Sequence, residues 1–260
     1  MNVVFLLHYA LAIDFISAGK FSAAAYCSEE KLSEWTCGAN CDGSVSKTTL
    51  SSTFNFPKTD TAGYIAVNQD LEVIVVSYRG SYSLRNWINN LKFAKLDLPM
   101  FDGIRVHSGF FKSWVVSRKV VETKLSQEIA KYPTFTVLFV GHSLGGALAS
   151  LAALHFSQIS DHNMVLVTFG SPRIGNEKFS RFLHPFNVFR IVNYDDIVPK
   201  LPFQRQGFHH AAQEVWIRCG SYKFCDPDNG EDPQCSDSIK LFQSKFSSHL
   251  RAWTIKFGSC

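Results

Sequence analysis

The stretch from Val137 to Phe156, VLFVGHSLGGALASLAALHF, constrains this chain more than any other. Phe135 to Val140 is short, apolar and rich in β-branched residues, without polar alternation, which is the pattern of a strand buried on both faces. From Leu144 onward the sequence holds too much Ala and Leu for a second strand and reads as a helix. A buried strand therefore turns directly into a helix at Ser143. Gly141, Gly145 and Gly146 stand where side chains would crowd so sharp an elbow. The turn pushes the Ser143 hydroxyl outward, beside the free N–H groups and positive dipole end of the new helix. A nucleophile is presented in this way.

The segments 71–78, 135–140, 164–169 and 188–193 read as buried strands, with helical patterns over 111–131 and 144–156. Their alternation predicts an α/β fold, a mostly parallel central sheet with helices on both faces. The chain has 260 residues, 46% hydrophobic and 18% charged, and no linker-like stretch, so residues 1–260 are expected to form one domain. A net charge of +4 with dispersed Lys and Arg argues against a nucleic-acid partner. The longest apolar run, VVFLLHYALAI, falls short of the ~20 residues of a membrane span, so no transmembrane anchor is expected. Residues 1–13 read as a possible signal or leader remnant, although no Lys or Arg precedes the run. Seven cysteines lie toward the chain ends, without a C-x-x-C pair or zinc-ligand spacing, so no metal site is expected. Three disulfides and one leftover thiol, made in an oxidising compartment, is the economical reading.

A serine needs a base, usually histidine, itself held by a carboxylate. In a fold of this kind they follow the serine as Asp and then His. The strand 188–193 runs into YDDIVPKLP, which offers Asp195 and Asp196; Asp196, directly before the Ile-Val-Pro exit, is the choice. Downstream remain His209, His210 and His249. The first two sit beside the next expected strand, QEVWI, as packed histidines, which leaves His249 as the base. His142 precedes Asp196 and, as the second residue of the elbow, should point away from the hydroxyl. The backbone N–H of Leu144 is one oxyanion donor, and Ser81, at the turn after strand 71–78, is the second, through N–H and hydroxyl. After it, Leu84, Trp87, Ile88 and Leu91 share one face of a short amphipathic helix that Ser83 could cap. Such a helix is either a movable cover or a permanently docked surface element.

Taken together, AAAYC, WTCGANC, RGSYSLRNWINNL, VHSGFFKSW, GHSLGGALA, GSPRIGN, DIVPKLP, GFHHAAQEVWI, CDPDNGEDPQCSDSI and SHLRAW make the chain resemble the fungal class 3 lipases, secreted α/β hydrolases of the Rhizomucor type. The resemblance implies Ser143, Asp196 and His249 as catalytic triad, Ser81 and Leu144 as oxyanion hole, and residues 83–95 as a lid. It implies hydrolysis of acylglycerol esters at a lipid–water interface without metal or organic cofactor, and secretion. It also implies the pairings Cys27–Cys260, Cys37–Cys41 and Cys225–Cys235, with Cys219 left over. Tyr82, Phe110 and Phe111 are expected to contact substrate, the two phenylalanines as walls of an acyl groove, although two adjacent phenylalanines are more often simply core. Feruloyl esterases and phospholipases A1 share the triad, so the triad does not choose among these substrates, whereas the apolar lid face favours an oil surface. A lipase-like binding protein without chemistry is a further reading, opposed by the presence of every triad and oxyanion position.

Overall fold

The computed structural model describes residues 14–84, 86, 93–98, 101–183, 186–211 and 213–260. The expected leader at 1–13 lies outside them, as do Trp87, Ile88 and Leu91 of the expected lid face.

Uninterrupted apolar strands have to be covered on both faces, and the sheet meets that demand. Strands β1 (Thr48–Phe56), β2 (Thr61–Asn68) and β3 (Val73–Tyr78) form an antiparallel meander. The small pair β4 (Lys95–Asp97) and β5 (Arg105–His107) stands apart from it. Strands β6 (Thr136–His142), β7 (Met164–Phe169), β8 (Asn187–Asn193) and β9 (Gln213–Arg218) continue the main sheet in parallel from β3. β10 (Ser221–Phe224) closes it as an antiparallel hairpin, giving the order β1-β2-β3-β6-β7-β8-β9-β10. A short pair, β11 (Arg251–Ala252) and β12 (Ile255–Lys256), lies near the C-terminus. The mostly parallel α/β architecture expected from the alternating pattern is thus present.

Six helices are named here: α1 (Phe15–Ala24), α2 (Glu29–Ser33), α3 (Ser108–Lys131), α4 (Leu144–Phe156), α5 (Glu177–Leu183) and α6 (Phe246–His249). Period-two alternation sends Val137 and Phe139 into the core shared with α3 and α4. Leu138 and Val140 enter the opposite core, shared with α1 and the C-terminal Ile255 and Phe257. Register does the rest. Tyr78 pairs with Gly141, His142 with Phe169, and Phe169 with Ile191, so the chain leaves β3, β6, β7 and β8 at one edge of the sheet. Loops at that carboxyl edge are where parallel sheets build sites.

Several elements escape the simple pattern. β1, TTLSSTFNF, is too polar to announce itself, and its strand conformation comes from pairing with β2. α1 is made largely of small residues, and Asp14, which breaks the N-terminal apolar run, is its cap, accepting from the N–H groups of Ile16 and Ser17. α3 begins at Ser108 rather than 111 because His107 Nδ1 accepts from the N–H groups of Gly109 and Phe110. Of the segment 83–95, Leu84 and Asn86 are helical and Lys95 already belongs to β4.

The disulfides are Cys27–Cys260, Cys37–Cys41 and Cys225–Cys235, and Cys219 is exposed and unbonded. The first closes a separation of 233 residues and the others separations of 4 and 10. Chain-entropy reasoning makes the long closure worth on the order of 5 kcal/mol and the short ones less. Replacing both Cys27 and Cys260 by Ser is therefore expected to lower the unfolding free energy by about that amount in urea titrations. Cys219→Ser in the same assay should stay within about 0.5 kcal/mol of the parent.

Candidate active site

Ser143 occupies the junction between β6 and α4 with φ 57° and ψ −128°, a conformation that costs a non-glycine residue energy and is retained where geometry demands it. Its hydroxyl caps no helix N–H and has no hydrogen-bond partner, although the residue is 1% exposed. A Cβ on Gly145 would stand 2.2 Å from the Tyr78 carbonyl oxygen, so the first turn of α4 presses against the end of β3. Leu144 opens that turn, and its N–H belongs to the set that a helix leaves without intrahelical partners.

His249 and Asp196 meet across 53 residues of sequence. His249 Nδ1 lies 2.9 and 3.0 Å from the two Asp196 carboxylate oxygens, and both side chains are buried. With its Nδ1 proton donated to the carboxylate, the imidazole offers Nε2 as its basic atom. That Nε2 has no partner. Gly170 makes room for the pair: it adopts φ +54°, and a Cβ there would stand 2.6 Å from Asp196 Oδ2 and 2.8 Å from His249 Nδ1.

The two adjacent aspartates divide the work of presenting His249. Asp196 holds the ring and also accepts from the Val198 N–H at 2.9 Å. Asp195 holds the segment that carries the ring: its carboxylate accepts from the Ser248 hydroxyl and pairs with Lys245, and its carbonyl accepts from the Lys245 N–H at 2.7 Å. Asn193 Nδ2 donates to the Ser248 carbonyl at 2.9 Å. A one-turn helix such as α6 has little stability of its own, so these bonds decide where the histidine stands.

Ser143 and His249 line one cavity of about 680 Å³, with Tyr26, Ser81, Tyr82, Leu84, Phe246 and Leu250 also on its wall. Ser81 reaches it with a hydroxyl already engaged, donating to Asp60 Oδ2 at 2.6 Å. Asp60 also pairs with the buried Arg79 guanidinium, which lies 3.7 Å over the ring of Tyr82. This leaves the Ser81 N–H as the donor free of Asp60, a correction to the expectation that Ser81 offers both N–H and hydroxyl. Phe110 and Phe111, expected as groove walls, do not line this cavity. Phe110 is 1% exposed and stacks on His107 with ring centroids 4.0 Å apart, and Phe111 packs beside Trp114. Core burial takes both aromatic rings.

His209 and His210 stay away from Ser143. His210 Nε2 donates to the Pro199 carbonyl at 2.7 Å, and burial, followed by the nearby Arg190 and Arg173 charges, holds it well below the ordinary histidine range. Glu214, Cys225 and Cys235 form the one grouping of metal-ligand residue types among the described residues, but both sulfurs are consumed in a disulfide and Glu214 pairs with Arg190. The sequence reading assigned no site role to Tyr26, Asp60, Phe246, Leu250 or Phe257, although Tyr26 and Leu250 lie within the AAAYC and SHLRAW stretches.

Residues 75–206 match the Lipase (class 3) family. The chain belongs to the class 3 lipases. Class 3 relatives include the secreted mono- and diacylglycerol lipase A of Penicillium cyclopium, 38% identical over 160 residues, which covers 61% of this chain and 52% of that one. The chain spans about half the length of the first relatives it matches. Lipase II from Rhizopus niveus superposes with a TM-score of 0.89 at 29% identity, over 100% of this chain and 98% of its own. Rhizomucor miehei triacylglyceride lipase does so with a TM-score of 0.87 at 29% identity, over 99% and 97%.

Asp60 is the part-exposed acceptor on which both Arg79 and Ser81 depend, so its removal strands a guanidinium whose side chain is 6% exposed. Asp60→Ala is expected to cost about 2 kcal/mol of stability in chemical denaturation, and Asp60→Asn, which keeps an acceptor, about half as much.

Proposed function

We propose that this class 3 lipase is a serine carboxylester hydrolase acting on acylglycerols. One observation carries the reading: two reactive atoms without partners, Ser143 Oγ and His249 Nε2, line the same cavity while Asp196 fixes the other nitrogen of the histidine. In the proposed reaction Ser143 Oγ attacks the ester carbonyl and gives its proton to His249 Nε2. The oxyanion that forms is stabilised by the N–H groups of Leu144 and Ser81. The ester C–O bond breaks, and His249 passes the proton to the departing alcohol. Water, deprotonated by the same nitrogen, then hydrolyses the acyl-enzyme. No step calls for a metal or cofactor.

Acylglycerols are the proposed substrate because the Penicillium relative is a mono- and diacylglycerol lipase and the Rhizomucor one a triacylglyceride lipase. The apolar sequence face Leu84, Trp87, Ile88 and Leu91 supports work at a lipid surface, and Leu84 and Tyr82 lie on the cavity wall. Secretion fits the three disulfides and the secreted relatives, and no described helix is long and apolar enough to cross a membrane.

Ser143→Ala and His249→Ala are each expected to lose roughly three to six orders of magnitude in kcat on p-nitrophenyl butyrate with the fold retained. Organophosphate labelling followed by peptide mapping should find the adduct on Ser143; folded protein that takes none would leave the binding-protein reading in its place. Near-normal activity of His249→Ala alongside an inactive His210→Ala would overturn the choice of base.

The segment 83–91 gives a second expectation. The helix that the sequence pattern predicts there is short enough to persist only when docked, and its apolar face would cover the cavity in water or bury itself in lipid. Specific activity on tributyrin should jump as the substrate passes its solubility limit, and Trp87→Ala should reduce the jump while largely keeping activity on monomeric ester. A smooth saturation curve through that limit would instead favour a soluble ester such as a feruloyl ester.

A further inference from the structure

His142 immediately precedes Ser143, yet both of its ring nitrogens are committed elsewhere. Nε2 donates to the backbone carbonyl of His249 at 2.8 Å, and Nδ1 accepts from the Tyr26 hydroxyl at 2.6 Å. The ring lies flat on Phe257, with centroids 4.2 Å apart and planes within 2°, and its centroid is 4.4 Å from that of His249. His142 is 2% exposed and Tyr26 7%. Beyond Tyr26 stands the oxyanion loop: a Cβ on Gly80, the residue before Ser81, would be 2.2 Å from the Tyr26 hydroxyl oxygen, and the same point lies 3.2 Å from Ser143 Cβ. One unbroken set of contacts therefore runs from the oxyanion loop through Tyr26 and His142 to the backbone of the candidate base.

We propose that Tyr26 and His142 are positioning residues, a buried relay that holds the oxyanion loop, the elbow and the His249 backbone in one reactive geometry. The relay rests on the ester-hydrolase reading of Ser143. Asp196 fixes the His249 ring but leaves its main chain on a one-turn helix, and the His142 bond is the contact that ties that main chain to the strand bearing the nucleophile. The bonding pattern needs a neutral imidazole, one nitrogen donating and the other accepting. Burial first, then the nearby His249, keeps His142 well below the ordinary histidine range, so the pattern persists at working pH. Burial likewise pushes the Tyr26 phenol up, which keeps it a donor. Both residues line the cavity, but neither is hydrogen-bonded to Ser143 Oγ or His249 Nε2; each acts through distance, where errors near 1 Å are worth about 100-fold in rate.

The test compares Tyr26→Phe, His142→Leu, His142→Gln and the double variant Tyr26→Phe/His142→Leu on monomeric p-nitrophenyl butyrate, with melting temperatures measured in parallel. The relay predicts that kcat falls about 10-fold in Tyr26→Phe and about 100-fold in His142→Leu, with KM within about twofold of wild type. His142→Gln, whose amide can both donate and accept, should recover at least about 10-fold over His142→Leu. The double variant should be no slower than His142→Leu, because the two residues act as one unit. Wild-type kcat in Tyr26→Phe, or losses that multiply in the double variant, would overturn the relay. Should His142→Leu fail to fold, Tyr26→Phe decides alone, since it removes a single oxygen. A wild-type protein inert to both this ester and an organophosphate would defeat the hydrolase reading beneath the relay, whereas an active wild type with unaffected variants would defeat the relay only.

Discussion

The fold presses the first turn of α4 onto the carbonyl of Tyr78, with no space for a Cβ at Gly145. This contact couples two neighbouring parallel strands at their carboxyl ends, since Tyr78 pairs with Gly141 across the sheet. It fixes how close the oxyanion loop after β3 comes to the elbow after β6, where Ser143 holds its positive φ. Loosening it would separate the two halves of the site before any reactive side chain was touched. The strain at Ser143 persists because a fully buried strand precedes it and a buried helix follows it.

The strand-to-helix elbow was readable because its information is local: an apolar run, glycines at fixed offsets and an Ala/Leu helix occupy twenty consecutive residues. Asp196 and His249 were reachable by chain order and elimination, since few candidates follow β8. Asp195, the aspartate not chosen, holds the segment before His249 through Lys245 and Ser248 in the structure. Nothing local distinguishes those two roles. Tyr26 and Asp60 were invisible for the same reason: their partners lie 116 residues away for His142 and about 20 away for Arg79 and Ser81. Phe110 and Phe111 were open to two readings, groove wall or core, because an aromatic pair signals apolar burial in general, and both pack in or against the core.

Buried charge is concentrated away from the cavity, on the β8–β9 side of the sheet. Arg173 grips Glu231 with two bonds of 2.7 and 2.8 Å, and Arg190 pairs with Glu214 while donating to the carbonyls of Ala211 and Gly230. Burial works against the Glu231 carboxylate, but the Arg173 bonds and the His210 N–H hold it below its ordinary value. These ions tie the loop closed by Cys225–Cys235 to β8, and hence to the turn that carries Asp196. By contrast, the relay at the base is built from neutral groups, so His249 meets no second full charge to rival Asp196 among its described ring contacts.

The Cys27–Cys260 bond also changes what kind of object the polymer is. Between Cys27 and Cys260 the chain is a covalently closed ring, with Cys260 joined to the position beside Tyr26. A protease that cuts once in the loop after Ser81 opens the ring without dividing it: β1 to β3 and β6 to β10 remain parts of one covalent molecule. A second cut, or a reductant acting on the terminal bond, is needed to release a fragment. Surface loops of such a ring can be nicked while both strands that flank the elbow remain tethered at concentrations set by the ring itself, which favours their re-pairing over dispersal.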